Sequence, residues 1–486
     1  MAWFETRRVL ILLVALGLFA MACRTVTDPD VWWHLRTGQL IVQNHSLLHT
    51  DPYSFTRNGQ PWVNHEWLSD LLMYGLYRFS GWGGLIVVFG AMTALTLMLV
   101  FLRSPGKPYF AAVALILGAY ASAPGWGVRP HTVSLLLASI FLILLDRSET
   151  QPRRLWWTIP LMVLWVNLHA EFALGIGLLA LFLVGEVLEA VLGQVRNRGA
   201  NRLRDLALAL LACLAVVPLN PNTFRMYTYP VETLRSPAMQ QYIAEWASPN
   251  FHEAKYVPFA LMLLALVFLL SASSKRIRPR DLVLLIVLSA GALRSVRHIS
   301  VFVLVAVPIL SELSADWWHQ RVRAIRSSTP RSKLRLAVNV IVLAAFLVFS
   351  VVRVHTTVAH QAQTEAESFT PGVVAYFAGH PLQEPLFNHY NFGGYFIWNL
   401  YPRYQVYIDG RADLYGDDFL HDFAKTYYVT GSDWEKSIRQ WKIKTVVLPP
   451  DAPLLAALRL SGEWSEAYED SQAVVLVHRD PSRLGH

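Results

Sequence analysis

The sequence predicts a polytopic α-helical membrane protein with about 11–12 membrane-spanning helices and a small C-terminal α/β domain outside the membrane. Of its 486 residues, 54% are hydrophobic and only 16% are charged, and the mean hydropathy is +0.35. Long apolar runs recur as far as Val354, whereas the tail from about Ala359 alternates helix-like stretches with short β-rich runs at 404–408, 445–448 and 473–477. This composition excludes an ordinary soluble enzyme.

The membrane helices are expected where apolar runs are separated by short polar segments. A straight crossing needs about 20 residues, so the shorter runs must extend into their flanks or lie in a protected bundle. The segment 67–79 is either a further crossing or a helix on the membrane surface. The predicted spans are 7–23, 83–102, 109–123, 131–146, 155–168, 172–192, 205–220, 257–272, 281–293, 298–312 and 336–354.

The first apolar run also has the features of a secretory signal, because Arg7 and Arg8 precede it and small residues follow it at 20–22. We interpret it as a retained helix. Many further apolar runs follow, and an anchor at this position would hold Asp28 and Asp30 at the membrane surface.

The net charge of +8 is distributed as a membrane orientation signal, so we do not expect nucleic-acid binding. The basic residues concentrate at 103–107, 147–154, 196–204, 275–280 and 321–335. If 67–79 does not cross, all these segments share one side, the cytoplasm, with the N-terminus. The other side of the bacterial inner membrane then receives outer loops 24–66 and 221–256. We therefore predict a transmembrane domain over 1–354 and an extracytoplasmic domain over 355–486.

The first outer loop contains the densest group of chemically useful residues. It reads TDPDVWWHLR from Thr27 to Arg36 and includes a second group at 51–67. Carboxylates could act as a base, the indoles as stacking surfaces, and a basic side chain as a phosphate contact. An interfacial aromatic belt with a helix cap is the alternative. The candidates here are Asp30 and Asp28 for catalysis, and His34, Arg36, His65 and Glu66 for binding.

Further ionisable residues interrupt apolar runs on the same predicted side, where they are costly unless they are paired or line a wet cavity. His169 and Glu171 occupy one turn, and they could instead pair with each other or reach the headgroups. Arg294 and Arg297 face the same outer side and favour an anionic partner, such as the phosphate of a lipid carrier. The alternative is that they snorkel to ordinary lipid headgroups. Arg129 and His131 make a weaker case, since Arg129-Pro130 also suits a helix start. The further binding candidates in these turns are His169, Glu171, Arg294, Arg297 and His298, and the outer loop 221–256 adds Glu245, an outward carboxylate beside a membrane helix.

Three segments together resemble the GT-C fold glycosyltransferases, and above all the catalytic subunit of oligosaccharyltransferases. The string Asp28-Pro-Asp-Val-Trp-Trp-His-Leu-Arg36 is similar to that subunit's Asp-Pro-aromatic-aromatic-His-x-Arg string, which carries its catalytic Asp. Tyr242-Ile-Ala-Glu245 is similar to its Thr-Ile-x-Glu motif. Asn391-Phe-Gly-Gly-Tyr395, followed by the segment 406–411, resembles Trp-Trp-Asp-Tyr-Gly and the strand that ends in Asp after it.

The resemblance implies a GT-C fold along the whole chain and a donor sugar linked to a polyprenyl phosphate. It also implies an optional divalent metal ion, Mg or Mn, held by carboxylates among Asp28, Asp30, Glu171 and Glu245. Two departures are evident in the sequence. The sequon-reading Trp-Trp-Asp-Tyr-Gly motif is not intact, which argues against transfer to an Asn sequon, and 124–130 lacks the acidic pair on which the family's metal site draws.

In the tail, Asn391, Asp409 and Arg411 combine polar side chains with neighbouring glycines at the ends of expected strands. Loops at such places often contact ligands, although Asp-Gly is first of all a turn signal. These three residues are the C-terminal candidates.

The sequence therefore predicts a membrane glycosyltransferase whose acceptor is a glycan, a lipid or a protein. Pro29 biases Asp28 towards an extended turn, which leaves Asp30 freer to face a cavity as the base. We expect one outer site shared by Asp28, Asp30, Glu171 and Arg294, with Glu245 nearby. The alternatives are a lipid or polyanion transporter or flippase, and an inactive GT-C-like scaffold.

Overall fold

A computed structural model describes residues 6–193, 199–321 and 333–480. Two of the basic segments on which the predicted membrane orientation depends, 196–204 and 321–335, lie partly outside the described residues. The α-helices are α1 Thr6–Ala22, α2 Val31–Asn44, α3 Trp67–Arg103, α4 Pro108–Ser122, α5 Pro130–Arg147, α6 Thr158–Leu168, α7 Phe172–Val191, α8 Gly199–Ala215, α9 Arg225–Arg235, α10 Pro237–Tyr242, α11 Val257–Ala272, α12 Pro279–Arg294, α13 Ile299–Arg321, α14 Lys333–Ala359, α15 Gln361–Ser368, α16 Pro371–Gly379, α17 Gly393–Leu400, α18 Ala412–Tyr415, α19 Asp417–Tyr428, α20 Lys436–Gln440 and α21 Pro453–Ser461. The strands are β1 Leu386–Asn388, β2 Thr445–Leu448, β3 Trp464–Glu469 and β4 Val474–His478.

Each predicted apolar run coincides with a helix. Within the described residues, seven helices are long and apolar enough to cross a membrane, namely α3, α4, α5, α7, α11, α13 and α14. The other runs form the shorter helices α1, α6, α8 and α12, of 17, 11, 17 and 16 residues. Proline at the first helical position, where the missing N–H costs nothing, begins α4, α5 and α12.

The segment 67–79 is not a separate helix but the first part of the 37-residue α3. The helix is interrupted at Gly81, whose φ of 59° and ψ of −155° are outside helical values. Glycine adopts a positive φ without a Cβ clash, so this residue permits the kink.

The described chain divides into two compact units. Unit 1 comprises Met1–Arg24, Ile86–Tyr227 and Ala244–Val358, and contains most of the apolar helices. Its central element is α13, which packs against α4, α11 and α12 and is buried along most of its length. Gly118 allows the close approach of α4, since a Cβ there would lie 2.6 Å from Val307 Cγ2 on α13.

Unit 2 comprises Thr25–Leu85, Thr228–Ile243 and Ala359–His486. Its sheet has the order β1-β2-β4-β3, in which only β1 and β2 are parallel. The strands expected near 445–448 and 473–477 are confirmed as β2 and β4. The strand expected at 404–408 was wrong, because Val406 makes a single bridge to Ser54 of the first loop instead of joining the sheet.

The indoles of the first loop form part of the core of unit 2. Trp32 is 2% exposed and Trp33 is 5% exposed. Trp32 packs edge-on against Trp82 and Tyr395, with ring centroids 5.0 and 4.8 Å away. The expected stacking surface for sugar or lipid is therefore not presented by these two rings, which instead stabilise the fold by burial.

Candidate functional site

The start of α2 separates the roles of the two catalytic candidates. Asp28 Oδ1 accepts a hydrogen bond of 3.0 Å from the Asp30 backbone N–H, so Asp28 stabilises the turn around Pro29. Asp30 occupies the N-cap position of α2, but its side chain makes no capping hydrogen bond to the helix. The Asp30 carboxylate is thus not needed to begin the helix.

Glycines of the C-terminal segment fit directly against this turn. A Cβ on Gly410 would lie 1.6 Å from Asp30 Oδ1, and one on Gly394 would lie 2.3 Å from the Pro29 carbonyl oxygen. Both distances are far below van der Waals contact. Gly410 therefore makes room for the Asp30 carboxylate. The neighbouring candidate Asn391 is exposed, in a short turn before α17.

The other two C-terminal candidates belong to a buried ionic network. Arg411 donates to Asp409 at 2.7 Å and to Asp51 of the first loop at 2.7 Å, and the three side chains are at most 1% exposed. Tyr415 adds a hydrogen bond of 2.7 Å to Asp409. The Arg411 guanidinium lies 4.6 Å from the Trp62 ring centroid. Because both carboxylates contact the same guanidinium, this network joins the first loop to the C-terminal segment.

His34 forms a second buried pair. Its Nδ1 lies 2.6 Å from Asp70 Oδ1, and the two residues are 3% and 0% exposed. Gly38, one turn further along α2, makes this approach possible, since a Cβ there would lie 2.2 Å from the Asp70 carbonyl oxygen. Burial alone would lower the pKa of His34, but the carboxylates of Glu66, Asp70 and Asp30 raise it to about 9. The carboxylates around His34 therefore favour its protonated form.

We expect the His34 pair to make stability fall at alkaline pH. The pKa of folded His34, about 9, exceeds its ordinary value of 6.5, so its contribution is fully present below about pH 6.5 and lost as the pH rises through 9. His34→Gln should flatten the fall in the thermal midpoint between pH 6.5 and 9.5. His252→Gln, at an exposed histidine, should keep the wild-type slope. An unchanged slope in His34→Gln would contradict the assignment.

The side chains of the remaining first-loop candidates also make their contacts within unit 2. Arg36 donates 2.7 Å to the Tyr401 carbonyl oxygen and 2.6 Å to Gln39. His65 Nε2 lies 3.2 Å from Glu66 Oε1, and both residues are buried. Arg36 therefore has a structural role in this unit, and the His65–Glu66 pair lies in its interior.

Unit 1 brings together several candidates that are far apart in the sequence. Glu171 Oε1 accepts a hydrogen bond of 2.7 Å from Arg297 Nε, and Glu171 Oε2 lies 2.8 Å from His131 Nδ1. Glu245 forms an ion pair with Arg129, and its other carboxylate oxygen is 3.6 Å from Arg297 Nη1. We call these five residues the Glu171–Glu245 cluster.

Backbone contacts fix this cluster in place. The Glu245 carbonyl oxygen accepts from the Arg297 backbone N–H at 3.1 Å and from Ser295 Oγ at 2.9 Å. The Val296 N–H donates to the Ala247 carbonyl oxygen at 3.0 Å. The loop that contains Glu245 is therefore held against the turn before α13.

His169 extends the cluster into the helical bundle. The contacts of its two ring nitrogens define its tautomer. Arg297 Nη2 lies 3.2 Å from His169 Nε2, and since a guanidinium only donates, that ring nitrogen accepts. The ring proton is then on Nδ1, which donates to Ser134 Oγ at 2.8 Å. Trp165 Nε1 donates to the same hydroxyl at 2.8 Å. His169 thus connects the charged cluster to neutral hydrogen-bonding groups.

The electrostatics of the cluster favour ionised carboxylates. Burial acts to raise the pKa of Glu171, but the positive charges of His131 and Arg297 hold it well below its ordinary value. Burial likewise opposes ionisation of Glu245, and Arg129 and Arg297 lower its pKa.

The last two candidates lie at the edge of the cluster. Arg294 is exposed at the end of α12, and its carbonyl oxygen accepts from Ser248 Oγ at 3.3 Å. The His298 ring lies 6.1 Å from Trp246. Asp28 and Asp30 belong to the other unit, so the expectation of one shared site stays a prediction.

The optional metal ion does not fit the arrangement of donors. Mg²⁺ and Mn²⁺ require several available oxygen ligands, whereas Glu171 and Glu245 are engaged by arginine and histidine nitrogens. Within 6–193, 199–321 and 333–480, no group of three or more His, Cys, Asp or Glu side chains is arranged to hold a metal ion.

No protein-family model and no curated protein sequence matches the chain. Solved membrane glycosyltransferases do match its structure. The archaeal oligosaccharyltransferase AglB from Archaeoglobus fulgidus, in complex with an inhibitory peptide and a dolichol-phosphate, superposes with a TM-score of 0.56 at 12% identity, over 92% of this chain and 70% of that one. The arabinofuranosyltransferase AftD from Mycobacteria gives a TM-score of 0.50 at 14% identity, over 97% of this chain and 42% of that one.

The chain has the GT-C fold. The resemblance found in its short sequence motifs is thereby confirmed at the level of the fold. ArnT from Cupriavidus metallidurans is a weaker structural match, with a TM-score of 0.48 at 18% identity over 96% of this chain and 97% of that one. With its seven long apolar helices, this GT-C chain is a multi-pass membrane protein.

Proposed function

We propose that this protein is an integral membrane glycosyltransferase. It transfers a sugar from a polyprenyl-phosphate-linked donor to a glycan, lipid or protein acceptor on the outer face of the bacterial cytoplasmic membrane. The observation that carries the proposal is the Asp30 carboxylate, which does not cap α2 and for which Gly410 leaves space. The GT-C fold, shared with AglB and AftD, supports it.

In the proposed reaction, Asp30 accepts the proton of an acceptor hydroxyl while the oxygen attacks the anomeric carbon. The bond between that carbon and the donor phosphate breaks, and the bonding electrons leave with the phosphate. A single in-line displacement inverts the anomeric centre. A hydroxyl is the favoured nucleophile over an amide, because the sequon-reading motif is not intact.

Arg294 and Arg297 are the proposed contacts for the leaving phosphate, whose developing charge must be stabilised. Arg297 already makes ion pairs with Glu171 and Glu245. A phosphate that binds Arg297 must therefore compete with two carboxylates. The exposed Arg294 is the more accessible of the two arginines.

Right-side-out and inverted membrane vesicles containing the protein would test this function. We expect a labelled polyprenyl-phosphate sugar to transfer its label to a water-soluble acceptor fraction only when the acceptor reaches the outer face. A transporter or flippase would move the labelled donor between leaflets and form no product. A scaffold would do neither. Label transfer from the cytoplasmic face alone would contradict the proposed orientation.

A further inference from the structure

The Glu171–Glu245 cluster contains its own positive charges. Two glutamates, Glu171 and Glu245, face two arginines, Arg129 and Arg297, and the four side chains are between 20% and 33% exposed. The two arginines alone already balance the two carboxylate charges, before any positive charge on His131 is counted. A divalent cation would add excess positive charge instead of neutralising excess negative charge.

The geometry of the cluster points the same way. Glu171 uses both oxygens towards nitrogen, with Arg297 Nε at 2.7 Å from Oε1 and His131 Nδ1 at 2.8 Å from Oε2. For Glu245, Arg129 contacts Oε1 and Arg297 Nη1 lies 3.6 Å from Oε2. To ligate an ion, these oxygens would first have to give up charge-assisted contacts with nitrogen.

We propose that Arg129 and Arg297 are built-in counter-cations that take the place of a divalent metal ion at Glu171 and Glu245. Arg129 is in the segment that leads into α5, where the sequence has no acidic pair. The inference deepens the proposed function and rests on it for its catalytic meaning, which is that transfer needs no divalent ion at this cluster. The charge balance itself can be tested without turnover.

The test is Mn²⁺ binding by the full-length purified protein, measured by electron paramagnetic resonance and by the thermal unfolding midpoint. Wild type should show no Mn²⁺ site in the cluster and no loss of stability in EDTA. Arg129→Gln removes one counter-cation, so Mn²⁺ should bind it at least about tenfold more tightly than wild type and raise its midpoint. Arg129→Lys, which keeps the charge, should behave as wild type.

A matched control is Lys255→Gln, which removes a cation from the exposed Lys255–Glu253 pair on the same loop. It should gain no Mn²⁺ binding, and the Arg129→Gln/Glu245→Gln double variant should lose what Arg129→Gln gained. A Mn²⁺ site in wild type that disappears in Glu245→Gln, while that variant keeps a wild-type unfolding midpoint, would overturn the proposal. So would an Arg129→Gln protein that binds Mn²⁺ no better than Lys255→Gln. Neither result depends on glycosyl transfer.

Discussion

Asp30→Asn should reduce sugar transfer by about a hundredfold or more, because the amide keeps the size of the carboxylate but cannot accept the acceptor proton. Folding and donor binding should change little, since asparagine keeps the shape of the side chain and the start of α2 does not depend on a capping bond from it. The measurement is initial-rate transfer from a labelled polyprenyl-phosphate sugar by purified protein in lipid. The thermal midpoint and donor binding are recorded on the same samples.

Asp28→Asn is the matched control for this prediction. Asp28 acts through Oδ1, which accepts from the Asp30 backbone N–H, and an asparagine oxygen can accept the same bond. Transfer by Asp28→Asn should therefore stay close to wild type. Full activity in both single variants and in the double variant would end the enzymatic interpretation of this loop and favour the transporter.

Arg411→Met should destabilise unit 2 by about 3–5 kcal/mol, the usual cost of removing one partner from a buried ion pair. Asp409 and Asp51 would be left without their counter-ion, and the Arg411 side chain is itself only 1% exposed. The thermal midpoint of the purified protein and its resistance to limited proteolysis would both decrease. Asp409 lies beside Gly410, so we also expect transfer to decrease.

Arg403→Met provides the comparison, because Arg403 is exposed and stacks on Tyr404 at 5.1 Å. This variant makes the same Arg-to-Met substitution at the surface, where the loss in the free energy of unfolding is small. Equal midpoints for Arg411→Met and Arg403→Met would show that the buried network contributes no stability. An Asp51→Asn/Arg411→Met/Asp409→Asn protein should recover part of the loss, since no uncompensated charge remains.

The membrane helices could be predicted from the sequence because each apolar run is a local property of the chain. The structure of segment 404–408 could not be predicted in this way, since Val406 pairs with Ser54, which is far away in the sequence. Trp32 and Trp33 were expected on a surface because sequence alone does not tell an interfacial tryptophan from a core one. Burial inside unit 2 decides between them.

The candidate site shows the same contrast. His169, Glu171 and Arg297 were singled out because ionisable groups interrupt apolar runs, and Glu245 was singled out by its motif in the outer loop. The pairing of each glutamate required the fold. Asp70 was missed although it is a lone acid at the start of a long apolar helix, which is a usable signal. Asp409 and Arg411 were expected at a ligand, and their partner Asp51 is 360 positions away from Arg411.

Unit 2 is built from three separate segments of the chain, and this has a consequence for the order of folding. Its three segments are separated by long stretches of unit 1, and contacts such as Val26 with Gln361 join residues 335 positions apart. At about 5–20 residues per second, synthesis adds roughly 20–70 s between the first loop and its C-terminal partners. During that interval Asp51 has no Arg411. The first loop can reach its final structure only after nearly the whole chain has been synthesised and inserted.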